Sequence, residues 1–188
     1  SLNDYMTKKL FKPLEMNDTS FDISTIGEGR LPKIYSIEED QNLVDISELM
    51  SPPQIEKFAY GGGGVFSCPN DYAKFIRMFL NGGKVNGKNL LSSETVKQMT
   101  TNQIGELIVP FQPTFNPSIV APNEWFPGVE KKWGYSFMIN SDDIPNRRSK
   151  GSCAWSGIMN TFFWFDQEKD IGGTIMMQIA PCYHENAK

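Results

Sequence analysis

Between Asn160 and Ala180 two apolar runs, NTFFWFD and GGTIMMQIA, flank the polar turn DQEKD. Each run is of strand length, and a short polar connection between two such runs makes an antiparallel pair. Just upstream, KWGYSFMIN places Trp133, Tyr135, Phe137 and Ile139 at alternate positions, the period of a strand with one buried face. Three strands with short connections predict an antiparallel meander over residues 132–180, and a meander with one apolar face needs a covering layer.

The first 100 residues supply that layer. Pro69 suits the first turn of a helix, where its missing N–H costs nothing, and Ser67 is the expected N-cap. Tyr72, Phe75, Ile76, Phe79 and Leu80 then form one apolar stripe, and Gly82-Gly83 ends it. A shorter helix starts at Ser92, with Leu91 and Val96 placed to staple its cap. A third is expected near Tyr5, Met6, Leu10 and Phe11, stopped by Pro13. Residues 22–58 read as an irregular surface excursion. Residues 102–131 carry five prolines, from Pro110 to Pro127, and read as a long loop; such loops are functional or mobile. The fold class is α+β, an antiparallel sheet with helices packed on it, in one domain over residues 1–188.

Composition narrows the function. A net charge of −4, with a basic cluster limited to Arg147, Arg148 and Lys150, excludes a nucleic-acid footprint. Three scattered cysteines and one histidine give neither a disulfide framework nor a zinc cluster. No apolar run has transmembrane length, and SLNDYMTKK does not read as a signal peptide. The glycines at 61–64 fail the dinucleotide fingerprint. Residues 82–89 approach a phosphate loop but leave a helix, so Asn86-Gly87 reads as a hairpin turn. Glu38-Glu39-Asp40 and Asp142-Asp143 read as solvated acidic faces, and His184 as a surface or packing residue. No serine has lysine three residues later and no G-x-S-x-G is present, so the chain shows no recognisable nucleophile.

Four stretches, in order, resemble one family. LFKPLEMNDTSF, YGGGGVFSCPNDYAKFIRMFLNGG, NLLSSETVKQMTTNQ and CAWSGIMNTFFWFDQEKDIGGTIMMQ are similar to segments of the class C type of serine β-lactamase and penicillin-recognising hydrolases, with their related carboxylesterases. Glu15 departs from the family's glycine, which implies strain there if the position needs φ > 0. The resemblance implies an acyl-enzyme mechanism on an ester or amide of a small-molecule substrate, without metal or organic cofactor. It also implies that the family's Ser-x-x-Lys pair and catalytic tyrosine lie upstream of residue 5. The chain is then the C-terminal portion of a catalytic domain, without catalytic residues of its own and inactive alone.

Trp155-Ser156-Gly157 matches the family's third motif, Lys-Thr-Gly in β-lactamases and often Trp-x-Gly in esterase-like members. Gly157 would admit close backbone approach, Ile158 N–H would be one oxyanion donor, and Ser156 would be a wall residue. Trp155 in place of lysine removes the cation for a β-lactam carboxylate and favours esters. Taken alone, the triplet reads as strand packing with a bulge at Gly157. Residues 102–131 become a candidate lid or a surface loop without function. The alternative function is a non-catalytic β-lactamase-like binding module. An unpaired sheet edge implies self-association or a complementing chain.

Overall fold

The computed structural model describes residues 1–38, 40–50 and 59–187; Glu39 in the acidic run and residues 51–58 of the expected excursion lie outside them. A helix α1 (Leu2–Met6), capped by Ser1, continues as a π-helical turn over Thr7–Phe11. Next come β1 (Tyr35–Ile37), β2 (Leu43–Asp45) and α2 (Ser47–Met50). Helix α3 (Pro69–Leu80), the hairpin β3 (Lys84–Val85) and β4 (Lys88–Asn89), and α4 (Ser93–Met99) follow. The last third holds β5 (Lys131–Trp133), β6 (Met138–Asn140), β7 (Cys153–Gly157), β8 (Thr161–Asp166), β9 (Ile171–Met176) and β10 (Ile179–Ala180).

Strands β5 to β9 form one antiparallel meander in chain order, so the sheet has five strands where the sequence suggested three. The difference has two causes: β7 is a strand of its own beside the three, and one of the three is itself two. KWGYSFMIN is not one strand but a hairpin, with Trp133 opposite Met138. Its turn needs Ser136 at φ 81, and a Cβ on Gly134 would lie 2.2 Å from the Met99 carbonyl oxygen. The run GGTIMMQIA also divides: β10 leaves the sheet and pairs with β1, in parallel rather than antiparallel. Part of the expected surface excursion thus becomes a small second sheet, β10-β1-β2.

Helix α3 covers one face of the meander as its stripe predicts. Ile76 and Phe79 pack with Phe137, Ile139, Cys153 and Phe165 in a single buried cluster. Phe79 stacks on Phe165 at 5.3 Å and meets Phe137 edge-on at 4.9 Å. The N-cap of α3 is Cys68 rather than Ser67, and no side chain caps it. Ser67 instead shares a 2.8 Å hydrogen bond with Thr19. Ser92 caps α4 by accepting from Thr95 N–H at 3.0 Å, and Leu91 and Val96 both pack into the core. Asn86 and Gly87 turn the β3–β4 hairpin with φ 48 and 76, the left-handed pair that a tight hairpin requires. Glu15 also has positive φ, 58, so this non-glycine residue carries the strain its position implied.

Candidate functional site

One end of β7 opens on a groove of about 1520 Å³. Trp155, Ser156, Gly157 and Ile158 all line it, as do Tyr60 and the glycines 61–64. The groove's other walls come from far away in sequence. Ser20 and Phe66 exchange backbone hydrogen bonds of 3.0 and 2.8 Å, which ties the segment after α1 to the one before α3. Below that bridge the buried carboxylate of Asp71 accepts from Asp18 N–H at 2.7 Å, Thr19 Oγ1 at 2.9 Å and Lys74 Nζ at 2.9 Å. These bonds satisfy a charge that would be costly to bury unpaired. The glycine run is a tight turn, with Gly63 and Gly64 N–H both donating to Tyr60 O, and a Cβ on Gly64 would lie 2.7 Å from that oxygen.

Donor atoms of Asp18, Cys68 and Asp71 lie within 4.8 Å of one another. Asp71 already accepts three hydrogen bonds, one from Lys74, and Asp18 is paired with Arg30, which holds its carboxyl below the usual range. Two cations thus neutralise the cluster, and the donor set is that of a structural ion-pair network rather than a metal site.

The four residues of the third-motif match differ sharply in surroundings. Trp155 stacks on Trp125 with centroids 6.0 Å apart and meets Trp133 edge-on at 4.6 Å. Ser156 Oγ and Tyr183 OH share a 2.6 Å hydrogen bond. Burial raises the Tyr183 phenol above its ordinary value, and the bond to Ser156 offsets only part of this. A Cβ on Gly157 would lie 2.3 Å from Thr161 Oγ1, its partner across the β7–β8 hairpin, so glycine is what fits opposite this threonine. Ile158 is 47% exposed, and its N–H has no hydrogen-bond partner among the described residues. It is the backbone donor left over where the ladder ends.

None of the described residues of the Pro-rich segment lines the groove. The segment instead docks beside β7: Trp125 packs against Trp155, Phe162 and Tyr183, and Ile119, Ala121 and Cys182 exchange backbone hydrogen bonds of 2.8 Å. It is a buttress of the strand, where the sequence allowed a lid or an idle loop. Two residues that the sequence reading did not single out, Asn160 and Tyr183, bind the strand end from the far side. Asn160 sits at φ 55, fully buried, a turn position that asparagine favours; that turn was legible. Its partners were not, because they lie about twenty residues downstream. The acidic pair has a structural role, with Asp143 accepting from Lys150 N–H at 2.8 Å. His184 donates its backbone N–H to Pro181 O and is half-buried.

An antiparallel meander covered by helices, with a tryptophan-glycine strand end beside a large groove, defines a β-lactamase/transpeptidase-like fold. The beta-lactamase family profile matches residues 1–186, and the chain belongs to that family. It is 26% identical to the uncharacterized protein MT1414 of Mycobacterium tuberculosis, over 96% of this chain and 44% of that protein. Protein Rv1367c of the same species, strain H37Rv, matches equally. The chain therefore spans less than half the length of the curated relatives it matches. Among solved structures it is similar to simvastatin synthase (LovD) from Aspergillus terreus, with TM-score 0.75 and 18% identity over 100% of this chain and 46% of that one. EstCE1, a hydrolase with promiscuous acyltransferase activity, matches with TM-score 0.65 and 15% identity over 95% and 46%. A penicillin-binding protein homolog from Caulobacter crescentus matches with TM-score 0.56 and 14% identity over 100% and 50%.

Proposed function

We propose that this chain builds one wall of an acyl-transfer site, in a serine enzyme whose nucleophile and base lie outside these 188 residues. The observation that carries the reading is the end of β7, where Ile158 N–H has no partner among the described residues, beside a groove lined by Trp155 and Ser156. A backbone donor held ready beside a reacting carbonyl stabilises negative charge developing on its oxygen without reorganising. Ser156 is a wall residue, since its hydroxyl is held by Tyr183. Trp155 presents an aromatic surface where the lactamase motif has a cation, which suits an ester or other uncharged acyl group. No metal or organic cofactor enters the reaction. Alone, the chain holds an oxyanion donor without an attacking group and is inactive.

The test compares hydrolysis of p-nitrophenyl acetate and of a chromogenic cephalosporin by this chain and by a longer version extended upstream. Turnover only by the longer protein, with the ester preferred, is the expected result. Burst acylation of the 188-residue chain by a serine probe would overturn its inactivity. Silence of both proteins would favour a β-lactamase-like binding module.

A further inference from the structure

We propose that Tyr183 is a positioning residue for the oxyanion donor, acting with Cys182 to fix the plane of the Gly157–Ile158 peptide. The proposal rests on the functional reading above and names the device that holds its central group.

Residues 179–183 form a strap across the end of the β7–β8 hairpin. The Tyr183 hydroxyl is bonded to Ser156 Oγ at 2.6 Å, and Cys182 Sγ donates to the Gly157 carbonyl at 3.5 Å. In the other direction Asn160 Nδ2 donates to the carbonyls of Ile179 and Pro181, at 2.8 Å each, and its Oδ1 accepts from Tyr183 N–H at 2.7 Å. Strap and hairpin thus grip each other on both sides of the Gly157–Ile158 peptide. Tyr183 is only 8% exposed and enclosed by Trp125 and Phe162, with centroids at 5.5 and 6.2 Å. It sits at φ 62, a conformation that a tyrosine keeps only where its surroundings over-determine it.

The consequence follows from peptide geometry. A trans peptide carries its C=O and N–H on opposite edges. With the Gly157 carbonyl turned to Cys182, the N–H of Ile158 is turned away from the strap, and Ile158 lines the groove. Glycine at 157 leaves this peptide more backbone freedom than any other residue would. The strap removes that freedom from behind, with no group of its own in the groove: Cys182 and Tyr183 are absent from its lining. A donor fixed in this way is preorganised, which is what gives such donors their effect.

The test uses Tyr183→Phe, Ser156→Ala and the double variant of this chain, read by amide NMR. Either single variant should shift or broaden the Gly157 and Ile158 amide signals while those of Phe79 and Phe165 in the core stay in place. The double variant should add nothing further, since both changes cut the same bond. Unmoved Gly157 and Ile158 signals would overturn the strap, whatever the activity. In the longer protein with its nucleophile, Tyr183→Phe should lower kcat roughly tenfold at unchanged KM, less than the 10²–10³ that losing a donor outright costs. A raised KM at unchanged kcat would overturn the positioning role. Moved signals with both constants unchanged would overturn the oxyanion reading and leave the strap standing.

Discussion

The two faces of the five-stranded sheet are closed by different physics. On one, Phe137, Ile139, Cys153 and Phe165 meet the apolar stripe of α3. On the other, register places Lys131 beside Asn140, with Ser156 and Trp164 on the same side of β7 and β8. Segments without regular structure cover that second face. Asn140 Nδ2 is bonded to Ser152 Oγ at 2.9 Å, and the Arg148 guanidinium lies 4.8 Å from the Phe126 ring centre. Buried polar atoms without partners also occur in the covering segments, among them Asn123 Nδ2 and Trp125 Nε1. Dispersion and apolar burial hold the first face. The second depends on hydrogen bonds made between distant parts of the chain, the less economical way to close a sheet but the one that can aim a side chain.

Electrostatics sharpen the contrast. Burial, and then the neighbouring Arg148, lower the Lys131 ammonium to about 8, with Asp142 opposing. Burial lowers Arg148 to about 10, with Asp166 opposing. Asp166 is pushed up by burial and brought back below its ordinary value by N–H groups of Ser149, Lys169 and Glu168. On the helix-covered face the same burial acts on a neutral group, raising the Cys153 thiol to about 12. That leaves the thiol inert at neutral pH.

The largest expected effect breaks the first face. Phe79→Ala removes a side chain 1% exposed from a ring cluster and should cost about 3–5 kcal/mol of a typical domain stability. Trp133 and Trp164 lie on the other face by register, and Trp125 packs on Phe162 of that face. Urea unfolding followed by their fluorescence and by far-ultraviolet dichroism should therefore shift together. Two separated midpoints would show that the faces are independent.

A smaller effect tests the second face. Lys131 binds its proton more weakly in the folded chain than in the unfolded one. Between pH about 8 and 10.5 the unfolded state therefore holds the extra proton, and stability rises with pH. Below pH 8 the penalty is fully present. Lys131→Met should therefore stabilise the chain at pH 7 by up to about 3 kcal/mol, with the gain fading by pH 10. Urea midpoints of both proteins at the two pH values measure this. An equal gain at both would mean that packing, not charge, is what changed.

The smallest effect is local to the site. Gly157→Ala forces a methyl group against Thr161 Oγ1 and should cost about 2 kcal/mol. Adding Thr161→Ala should recover most of it, because the next contact, Thr161 Cβ, is 3.7 Å away. Thermal unfolding of the single and double variants decides. Failure of the second change to restore stability would place the conflict in the backbone instead.

Features governed by neighbours in sequence were legible. The stripe of α3, the Ser92 cap and the Asn86-Gly87 turn depend on three- and four-residue spacings and on local left-handed geometry, which composition of a short window specifies. The same reasoning failed at Trp133–Asn140, where alternation suited one strand. The chain instead turns at Gly134, whose N–H donates to Phe137 O, and the Met99 carbonyl, 35 positions earlier, leaves no room there for a Cβ. In the site, the order of motifs marked Trp155 to Ile158, and the hairpin partner Thr161 lay close enough to foresee. Tyr183 was invisible, since nothing in APCYHENAK announces that its hydroxyl meets a serine 27 residues upstream.

By itself, then, the sequence determined α1, α3 and α4, the antiparallel character of the meander and the strand that carries the motif, because side-chain periodicity and turn chemistry act over short distances. Tertiary structure alone decided which face of that strand meets the groove, which tryptophans stack behind it, and which carbonyl is held so that Ile158 N–H has no partner among the described residues. Those outcomes depend on the direction of a few hydrogen bonds between distant segments, and direction is a property that no residue carries until the chain has closed on itself.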